Sequence, residues 1–529
     1  MLDAIIISDS GDSTFSASSP LRLHVDGKIA LIQTLKNYVG NRGALVSPIE
    51  GERQDNWHSA PKLNGLAIYD YLRIQGFGTA LIDSYFQEKP RFLELLRQQP
   101  KAVVISTTFI LNAGSLEELV SDIRAAAPGI TIIAGGPFVY SSYMLSRRSE
   151  DPAYDVHSPR KDYLFLEGQR DLGIDLLVVD KGGLQVLAEA LGKLKTGSSI
   201  AGLPNTALWD GEKYVFSDRI DLDPTDFSID WESLPDSVFN SRVANVQASI
   251  GCPYHCDFCN FVKDKRYTRV KPLDQLIAEL KAVAARGIRY VRFVDDNFRL
   301  GRNDLDAVCR RFLAEDLGLK WMSFIRADTL DRADLSLLKR AGCIEAQMGI
   351  ESADRTVLKK MRKDADPALY RRVIHKLLSE GIDCSCCFIA GFPGETEESF
   401  RRTIDFIEGI PNADLPGSFS WSMYPFLLVP LSPVYEPENR AAHGLEGYMG
   451  SWTHRTMDSR KAMDLVKEAF VRIGSASPIY SGDNLEMMQS LEPSRRKAFL
   501  RTRHCLSKEF LRSAPDKDTI LRAFADLLD

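Results

Sequence analysis

Three cysteines in the segment GCPYHCDFCNF have the type and spacing of ligands for an iron–sulfur cluster. Cys252, Cys256 and Cys259 follow the apolar segment Val243–Ala248 in a CxxxCxxC pattern. Three thiolates can bind three irons of a cubane and leave the fourth iron open. An open iron can chelate an amino group and a carboxylate. We therefore predict a [4Fe-4S] cluster on this loop, with a ligand at its fourth iron.

A structural zinc site is the main alternative for such a group of cysteines. Zinc in a structural site takes four ligands in a closed tetrahedron. His255 is a nominal fourth ligand, but it lies between Cys252 and Cys256 and is poorly placed to complete the tetrahedron. The spacing therefore favours iron and sulfide.

The cysteine loop belongs to a series of alternating strands and helices. Amphipathic segments such as Leu273–Ala285 and Pro367–Leu378 predict helices between short apolar runs. Six strand–helix units predict a partial (β/α)6 barrel with its site at the carboxyl ends of the strands. The predicted strands are Val243–Ala248, Tyr290–Asp295, Trp321–Ile325, Glu345–Gly349, Cys384–Ile389 and Phe419–Pro425.

A second α/β region precedes the barrel. Its predicted strands are Ala4–Ser8, Thr79–Asp83, Ala102–Ser106 and Ile130–Ala134, with helices between them. This alternation predicts a doubly wound parallel sheet, whose ligands lie outside the carboxyl ends of the strands. Ser8–Ser10, Ser106–Thr108 and Gly135–Pro137 would then surround one crevice.

The predicted organisation has four parts. Residues 1–201 form the doubly wound (Rossmann-like) domain, residues 202–242 a linker, residues 243–435 the partial barrel and residues 436–529 a helical extension. The segment from Thr14 to Asn64 is long for a connection in a compact domain. We expect it to be functional or partly helical.

Composition narrows the function classes. The chain has 44% hydrophobic and 26% charged residues and a formal net charge of −6, which argues against a nucleic-acid partner. No apolar run approaches the roughly 18 residues that span a bilayer. The first residues lack the positive charge and apolar length of a signal peptide. We expect a cytoplasmic protein with no membrane partner, in which the nine cysteines are thiols or ligands.

The cysteine triple with Phe258 and four later motifs resemble the radical S-adenosylmethionine (SAM) superfamily. Phe258 precedes the third cysteine, and FVDDNF, IRAD, GIES and GFPGET follow predicted barrel strands in the family's order. The resemblance implies that SAM is bound at the cluster. The residues it assigns to SAM are Phe258, Asp295, Asp296, Arg326, Gly349, Glu351, Ser352, Gly391 and Pro393.

A doubly wound sheet ahead of such a barrel is similar to the cobalamin-binding (class B) subgroup. The resemblance implies that cobalamin lies against the small-residue loops Ser106, Thr107, Thr108, Gly135 and Gly136. The family's DxHxxG motif is absent, which predicts cobalt without a histidine ligand. Asp180-Lys181-Gly182-Gly183 stands where an acidic GEGE-like turn is expected.

The resemblance implies a methyltransferase that acts on an unactivated carbon or a phosphinate phosphorus of a small metabolite or natural-product intermediate. An external electron donor such as flavodoxin or ferredoxin would reduce the cluster. One alternative is a radical SAM enzyme without methyl transfer, which performs an oxidative rearrangement or a 3-amino-3-carboxypropyl transfer. Another is a non-catalytic cobalamin or metal sensor.

Several further residues keep two interpretations. Cys384, Cys386 and Cys387 are small buried residues of a strand or ligands for a soft metal, arsenic or a substrate intermediate. His454 is a proton acceptor or substrate contact, or a surface histidine. Cys505, in the run Arg503-His504-Cys505, is equally open.

Overall fold

The chain folds into two compact units in a computed structural model. The first unit comprises Met1–Ser13, Pro61–Asp230 and Tyr435–Pro437, and the second comprises Thr14–Ala60, Trp231–Val434 and Glu438–Asp529. The segment that interrupts the first sheet in sequence therefore belongs to the barrel unit. The structure describes residues 2–11, 21–46, 55–166, 170–180, 182–222, 227–260, 269–298, 305–363 and 365–528.

The first unit contains a seven-stranded sheet. Its strands lie in the order Thr79–Ile82, Ala4–Ile7, Ala102–Ser106, Thr131–Gly135, Leu176–Val178, Thr206–Trp209 and Tyr214–Phe216. The first five are parallel, which confirms the predicted doubly wound sheet. Its helices are Leu63–Ile74, Lys89–Leu96, Ala113–Ala126, Pro137–Arg148 and Leu184–Thr196.

The structure differs from the predicted linker over residues 202–242. Thr206–Trp209 pairs antiparallel with Leu176–Val178, and Tyr214–Phe216 extends the sheet by one more strand. Ala207 and Tyr214 are buried in the core of this sheet, so the hairpin gains apolar packing that the Asp- and Pro-rich sequence around it does not suggest. Two 3-10 turns, Trp231–Ser233 and Asp236–Val238, follow.

The second unit contains a parallel sheet of seven strands. The six predicted barrel strands are observed as Val243–Val246, Tyr290–Phe293, Lys320–Phe324, Cys343–Glu351, Asp383–Ala390 and Phe419–Pro425. Ser477–Pro478 adds a short seventh strand, parallel to the sixth. The helices after successive strands are Leu273–Ala285, Leu305–Ala314, Ala327–Arg332, Leu335–Arg340, Arg355–Lys360, Pro367–Ser379 and Glu397–Glu408. The predicted partial barrel is confirmed.

The region after the barrel combines helices with a small sheet. Glu446–Tyr448, Ser451–His454 and Met457–Asp458 form a three-stranded antiparallel sheet within what was predicted as a helical extension. The helices are Pro437–His443, Ser459–Arg472, Leu485–Ser490, Pro493–Phe510 and Lys517–Leu528. Of the helices in the described ranges, none is long and apolar enough to cross a bilayer.

Residues 21–60 pack on the barrel unit. Helix Ile32–Gly40 and the hairpin His24–Val25/Lys28–Ile29 share an apolar cluster with the last two helices. Trp57 and Ala60 pack against Val243, Tyr290 and other residues at the amino-terminal ends of barrel strands. The Asp55 carboxylate forms an ion pair with Arg242 at 2.6 Å. Arg242 directly precedes the first barrel strand. Residues 55–60 therefore close the amino-terminal end of the barrel.

Candidate functional site

The three predicted cluster ligands lie on the loop that follows the first barrel strand. Cys256 is buried, whereas Cys252 and Cys259 are partly exposed, and all three are free thiols. The loop is held from both sides, since the Asp257 backbone N–H donates to the Met361 carbonyl at 2.9 Å and its carbonyl accepts from Val434 N at 2.9 Å. The cysteine backbone is thus fixed to other elements of the barrel unit.

Positive charges lie close to the buried thiol. Burial raises the pKa of Cys256, whereas Lys363 and Arg326 act in the opposite direction. The thiolate is the form that binds metal, so these cations favour ligation. In the present side-chain conformation, the described residues contain no group of three or more His, Cys, Asp or Glu that could hold a metal ion. Three thiols on one loop nevertheless fit a cubane in number and chemistry, and their side chains would turn toward it.

The two aspartates of the FVDDNF motif hold the backbone that leads into the cysteine loop. Asp295 accepts hydrogen bonds from Ala248 N at 3.3 Å, from Ser249 Oγ at 2.6 Å and from Ser249 N. Asp296 accepts from Gly251 N at 2.9 Å. Burial raises the pKa of Asp295 to about 6 despite these bonds. The structure thus brings both predicted SAM residues to the base of the loop as anchors.

The GIES motif carries a buried ion pair beside the cysteine loop. Glu351 accepts from Lys363 Nζ at 2.7 Å, and both side chains are largely buried. Lys363 Nζ also lies 5.8 Å from the ring centroid of Phe258. A Cβ on Gly349 would come within 2.3 Å of Glu351 Oε1 and 3.2 Å of Lys363 Nζ. Any larger residue at position 349 would therefore displace the Glu351–Lys363 pair. Phe258, Gly349 and Glu351 therefore lie around Lys363, a residue to which the motifs do not point.

Arg326 and Ser352 have different surroundings. The Arg326 guanidinium lies 3.5 Å from the ring centroid of Tyr254, in the cysteine loop, and bonds to Asp328 at 3.0 Å. The Tyr254 hydroxyl donates to the same aspartate at 3.1 Å. Ser352 instead accepts from Asp354 N at 3.1 Å, which serves the turn into the next helix. Arg326 therefore lies beside the cysteine loop, whereas Ser352 stabilises the turn that follows the GIES strand.

The GFPGET turn is held by an acid and a histidine. The Gly391 N–H donates to Glu395 at 2.6 Å, and the Gly391 carbonyl accepts from His454 Nε2 at 3.1 Å. Gly391 has a φ of 87°, and a Cβ there would lie 2.6 Å from the Trp452 ring. Burial raises the pKa of Glu395 to about 8. Gly391 and the buried Pro393 thus lie at the carboxyl end of the fifth strand, in a turn whose backbone conformation is fixed by hydrogen bonds and close packing.

His454 is buried, which differs from the surface position considered above. Its ring stacks on Trp452 at a centroid distance of 5.0 Å, and Nδ1 accepts from Thr456 N and Met457 N at 3.3 Å. Nε2 is therefore the protonated nitrogen that donates to Gly391. Burial lowers the pKa of His454, which keeps the ring neutral.

The small-residue loops of the first unit meet at the carboxyl edge of its sheet. Asn64 Nδ2 donates to the Ser8 carbonyl and to Ser106 Oγ, both at 2.8 Å. Thr107 Oγ1 donates to the Gly135 carbonyl at 3.0 Å, and Ser106 Oγ lies 3.1 Å from Thr108 Oγ1. Within the described chain, Ser8 Oγ and Asn64 Oδ1 are buried without a hydrogen-bond partner. Two buried polar atoms at this edge therefore remain unsatisfied, and Ser8 Oγ lies against Gly65 of the helix Leu63–Ile74.

The glycines of this edge serve close backbone packing. A Cβ on Gly136, whose φ is 114°, would come within 3.2 Å of Thr107 Oγ1, and one on Gly135 within 3.1 Å of Val178 Cβ. They let three loops approach one another. Asn64 joins two of those loops, and local sequence pattern gives no sign of this role because its partner Ser8 lies 56 residues away.

The remaining cysteines divide by exposure. Cys384 and Cys386 are fully buried on one face of the fifth strand, with their sulfurs 3.7 Å apart. Cys387 lies on the other face, where Ser422 Oγ donates to it at 3.3 Å. Cys505 is exposed, and its neighbour His504 is buried with Nε2 bonded to the Ile473 carbonyl at 2.9 Å. Cys384 and Cys386 thus occupy core positions, whereas Cys387 faces the barrel interior.

Curated relatives match about a third of the chain. An uncharacterized methyltransferase of Pyrococcus horikoshii is 30% identical over 164 residues, which cover 30% of this chain and 36% of the relative. The chain spans between about a third and a half of the length of the curated relatives it matches, with covered shares of 36%, 35%, 46%, 44% and 41%.

Two solved structures share the fold over most of this chain. One is the radical SAM methyltransferase TsrM from Kitasatospora setae with cobalamin and [4Fe-4S] cluster bound, at a TM-score of 0.55 and 16% identity over 82% of this chain and 74% of that one. The other is the cobalamin-dependent radical SAM enzyme OxsB with aqua-cobalamin and SAM bound. Its TM-score is 0.58 and its sequence identity is 14%, and the alignment covers 99% of this chain and 75% of that one.

The family comparison covers the part of the chain that contains the cysteine loop and its surroundings. Residues 246–407 match the family model described as Radical SAM superfamily. This range runs from the end of the first barrel strand to the helix after GFPGET, and it includes every motif on which the resemblance rested. Residues 246–407 are therefore a domain of the radical SAM superfamily.

Proposed function

We propose that this protein is a cobalamin-dependent radical SAM methyltransferase acting on an unactivated carbon or a phosphinate phosphorus of a small molecule. The observation that carries the proposal is the joint architecture, a doubly wound sheet followed by a radical SAM domain. Two structures of that architecture, reported with cobalamin, align with 82% and 99% of the chain. We further propose a cytoplasmic location and a small electron-transfer protein, such as flavodoxin or ferredoxin, as reductant.

The chain's own residues would bind and orient the cofactors. Cys252, Cys256 and Cys259 would hold the cluster, and Asp295 with Asp296 would fix the loop that carries them. When bound, the cluster and SAM supply a carbon radical that removes a substrate hydrogen, and cobalamin supplies the methyl group. The Glu351–Lys363 pair would present neighbouring negative and positive charges to the methionine part of SAM.

The edge of the first sheet would bind cobalamin. Ser106, Thr107, Thr108, Gly135 and Gly136 form its loops, and Ser8 Oγ and Asn64 Oδ1 remain available as buried acceptors. Buried polar atoms without partners are costly, so a ligand that donates hydrogen bonds to them would be stabilised there.

The test is the cofactor content and the fate of the methyl group. We expect protein purified without oxygen to contain iron, sulfide and about one cobalamin per chain. With methyl-labelled SAM and a reductant, the label should reach cobalamin and then a small-molecule product. Protein that contains the cluster and cleaves SAM but never takes up cobalamin would refute methyl transfer of this kind.

The Asp180–Gly183 turn favours a second candidate, a radical SAM enzyme without methyl transfer. Asp180 accepts from Gly182 N at 2.7 Å and pairs with Arg219 at 3.4 Å, so its carboxylate is already engaged. Lys181 lies outside the described residues. An oxidative rearrangement or a 3-amino-3-carboxypropyl transfer would then leave the methyl label on methylthioadenosine or methionine, with no cobalamin in the protein.

A further inference from the structure

One face of the barrel strands is partly open to solvent. In Cys343–Glu351 the residues Glu345 and Gln347 are partly exposed, whereas Ile344, Ala346 and Met348 between them are buried. Side chains alternate across a strand, and the buried set is the one under the helices. The partly exposed set therefore lines the barrel interior, where solvent reaches part of each side chain. The same alternation places Asn245, Arg292, Cys387, Ser420 and Ser422 on this inner face.

The inner face is polar, which is unusual for a barrel. Closed barrels fill their interior with Val, Ile and Leu. Here Glu345 accepts from Ser385 Oγ at 2.5 Å and from Gln347 Nε2 at 3.3 Å, and Ser385 Oγ lies 3.0 Å from Ser420 Oγ. Short hydroxyl side chains occupy one wall, so the interior has polar atoms and room between them.

Two opposite charges face this space without forming an ion pair. Arg292 pairs in register with Met322, and Met322 pairs with Glu345, so the two charged residues stand at one level of the barrel on strands two apart. Burial lowers the pKa of Arg292, and Glu345 acts in the opposite direction. Yet among the described residues no ion pair joins them, and the Arg292 guanidinium makes no hydrogen bond. The Arg292 side chain is partly exposed, so solvent can occupy its donors, and a ligand carboxylate that replaced this water would gain charge-assisted hydrogen bonds.

The space is closed at one end and faces the cysteine loop at the other. Trp57 packs across the amino-terminal ends of the strands with Tyr290 and Ile344. The cysteine loop follows the carboxyl end of the first strand. A molecule in this interior would therefore lie beneath the predicted cluster, within the same unit.

We propose that the barrel interior binds the substrate by a zwitterionic head, an ammonium group next to a carboxylate, as in an α-amino acid. The carboxylate would pair with Arg292, the ammonium with Glu345, and the Ser385 and Ser420 hydroxyls would complete the hydrogen bonds. Such a head fits because it is neutral overall and bridges two unpaired opposite charges. That this ligand is the substrate rests on the proposed function.

The test is a titration of the full-length protein carrying its cofactors, with SAM at saturation so that its own amino-acid moiety occupies its site. The probes are L-amino acids with alkyl, phenyl and indolyl side chains, each with its amide and its deaminated acid. We expect binding of at least one amino acid, and binding weaker by about tenfold or more for both analogues, which lack one charge each. If none of the amino acids binds, or the analogues bind equally well, the inference is wrong.

The matched variants are Arg292→Gln, Arg292→Lys and Glu345→Gln, with Arg289→Gln as control because Arg289 is exposed just before the same strand. Arg292→Gln and Glu345→Gln should each raise the dissociation constant of the amino acid by about tenfold or more. Arg292→Lys should keep part of the affinity, and Arg289→Gln should keep all of it. Equal affinity in Arg292→Gln and Arg289→Gln would overturn the inference. If a variant does not fold, the analogue series in the unaltered protein still decides.

A further readout separates this inference from the proposed function. Cobalamin content should be unchanged in Arg292→Gln, because Arg292 belongs to the barrel unit and the predicted cobalamin loops belong to the first unit. A protein that binds amino acids through Arg292 but takes up no cobalamin would leave the subsite standing and refute methyl transfer. Normal cobalamin uptake without amino-acid binding would refute the subsite and leave the proposed methyl transfer standing.

Discussion

The two parallel sheets of this protein use their strands in opposite ways. In the first unit, Ala4–Ile7 and Ala102–Ser106 are buried at every position. In the barrel, Cys343–Glu351 and Phe419–Pro425 alternate between buried and partly exposed residues. A sheet covered on both faces can offer a ligand only its edge. A barrel strand with a polar inner face offers its interior as well, so chemistry can take place within the second unit.

Loss of one cluster ligand should have the largest effect, and it should be confined to the barrel. In Cys252→Ala we expect little or no cluster and a fall in SAM cleavage of about a thousandfold or more, because two thiolates hold a cubane poorly. Iron and sulfide analysis and 5′-deoxyadenosine formation measure this. Cys505→Ala, at an exposed cysteine, is the control and should retain the cluster. Normal activity of Cys252→Ala would contradict the site.

The two kinds of strand should respond differently to truncation. Ile105, 1% exposed in the first sheet, lies in an apolar core, so Ile105→Ala should lower the free energy of unfolding by about 3 kcal/mol. Ser422 lies on the inner face of the barrel, and Ser422→Ala should change it by about 0.5 kcal/mol or less. Urea unfolding followed by circular dichroism measures both. Similar losses in the two variants would mean that the barrel interior is packed after all.

A methyl group at Gly349 should harm the site more than the fold. Its Cβ would meet Glu351 Oε1 at 2.3 Å, so Gly349→Ala must displace the Glu351–Lys363 pair. We expect SAM cleavage to fall by about tenfold, since small displacements of positioning groups are costly. Gly192, in a helix of the first unit with open space around it, provides the control. Gly192→Ala should leave turnover unchanged and slightly raise stability.

The smallest expected effect is a pH dependence of stability from Glu395. Its pKa is about 8 in the folded protein, against an ordinary value of 4.5. Between these values the folded state binds more protons than the unfolded state, so stability falls as pH rises, by about 1 kcal/mol per pH unit. Thermal unfolding at pH 5.5, 6.5 and 7.5 (about the middle of this window) measures it.

Glu395→Gln should remove most of this dependence, because the amide does not titrate. Glu398→Gln, at an exposed position in the following helix, should retain it. If the Glu395→Gln and Glu398→Gln profiles have the same slope, the carboxyl of Glu395 is not the titrating group. The prediction concerns the barrel unit, since Glu395 accepts a hydrogen bond from Gly391 within the GFPGET turn.

The sequence predicted the strands of both sheets to within one or two residues where apolar runs are continuous, as at Ala102–Ser106 and Phe419–Pro425. It did not reveal the hairpin Thr206–Phe216 or the barrel contact of Trp57. Both depend on packing against distant segments, which local pattern does not encode. At the site, motifs pointed to Glu351 but not to its partner Lys363, because a lysine twelve residues away looks like any surface lysine.

The crossing of residues 21–60 from one unit to the other has a consequence for the order of folding. Leu23 N bonds to Ser507 Oγ across 484 positions, and Ile32 N to Asp483 across 451. During synthesis these early residues leave the ribosome long before their partners exist, whereas four strands of the first sheet can pair within the first 135 residues. Residues 21–60 therefore reach their final contacts only after Asp483 and Ser507 have been made.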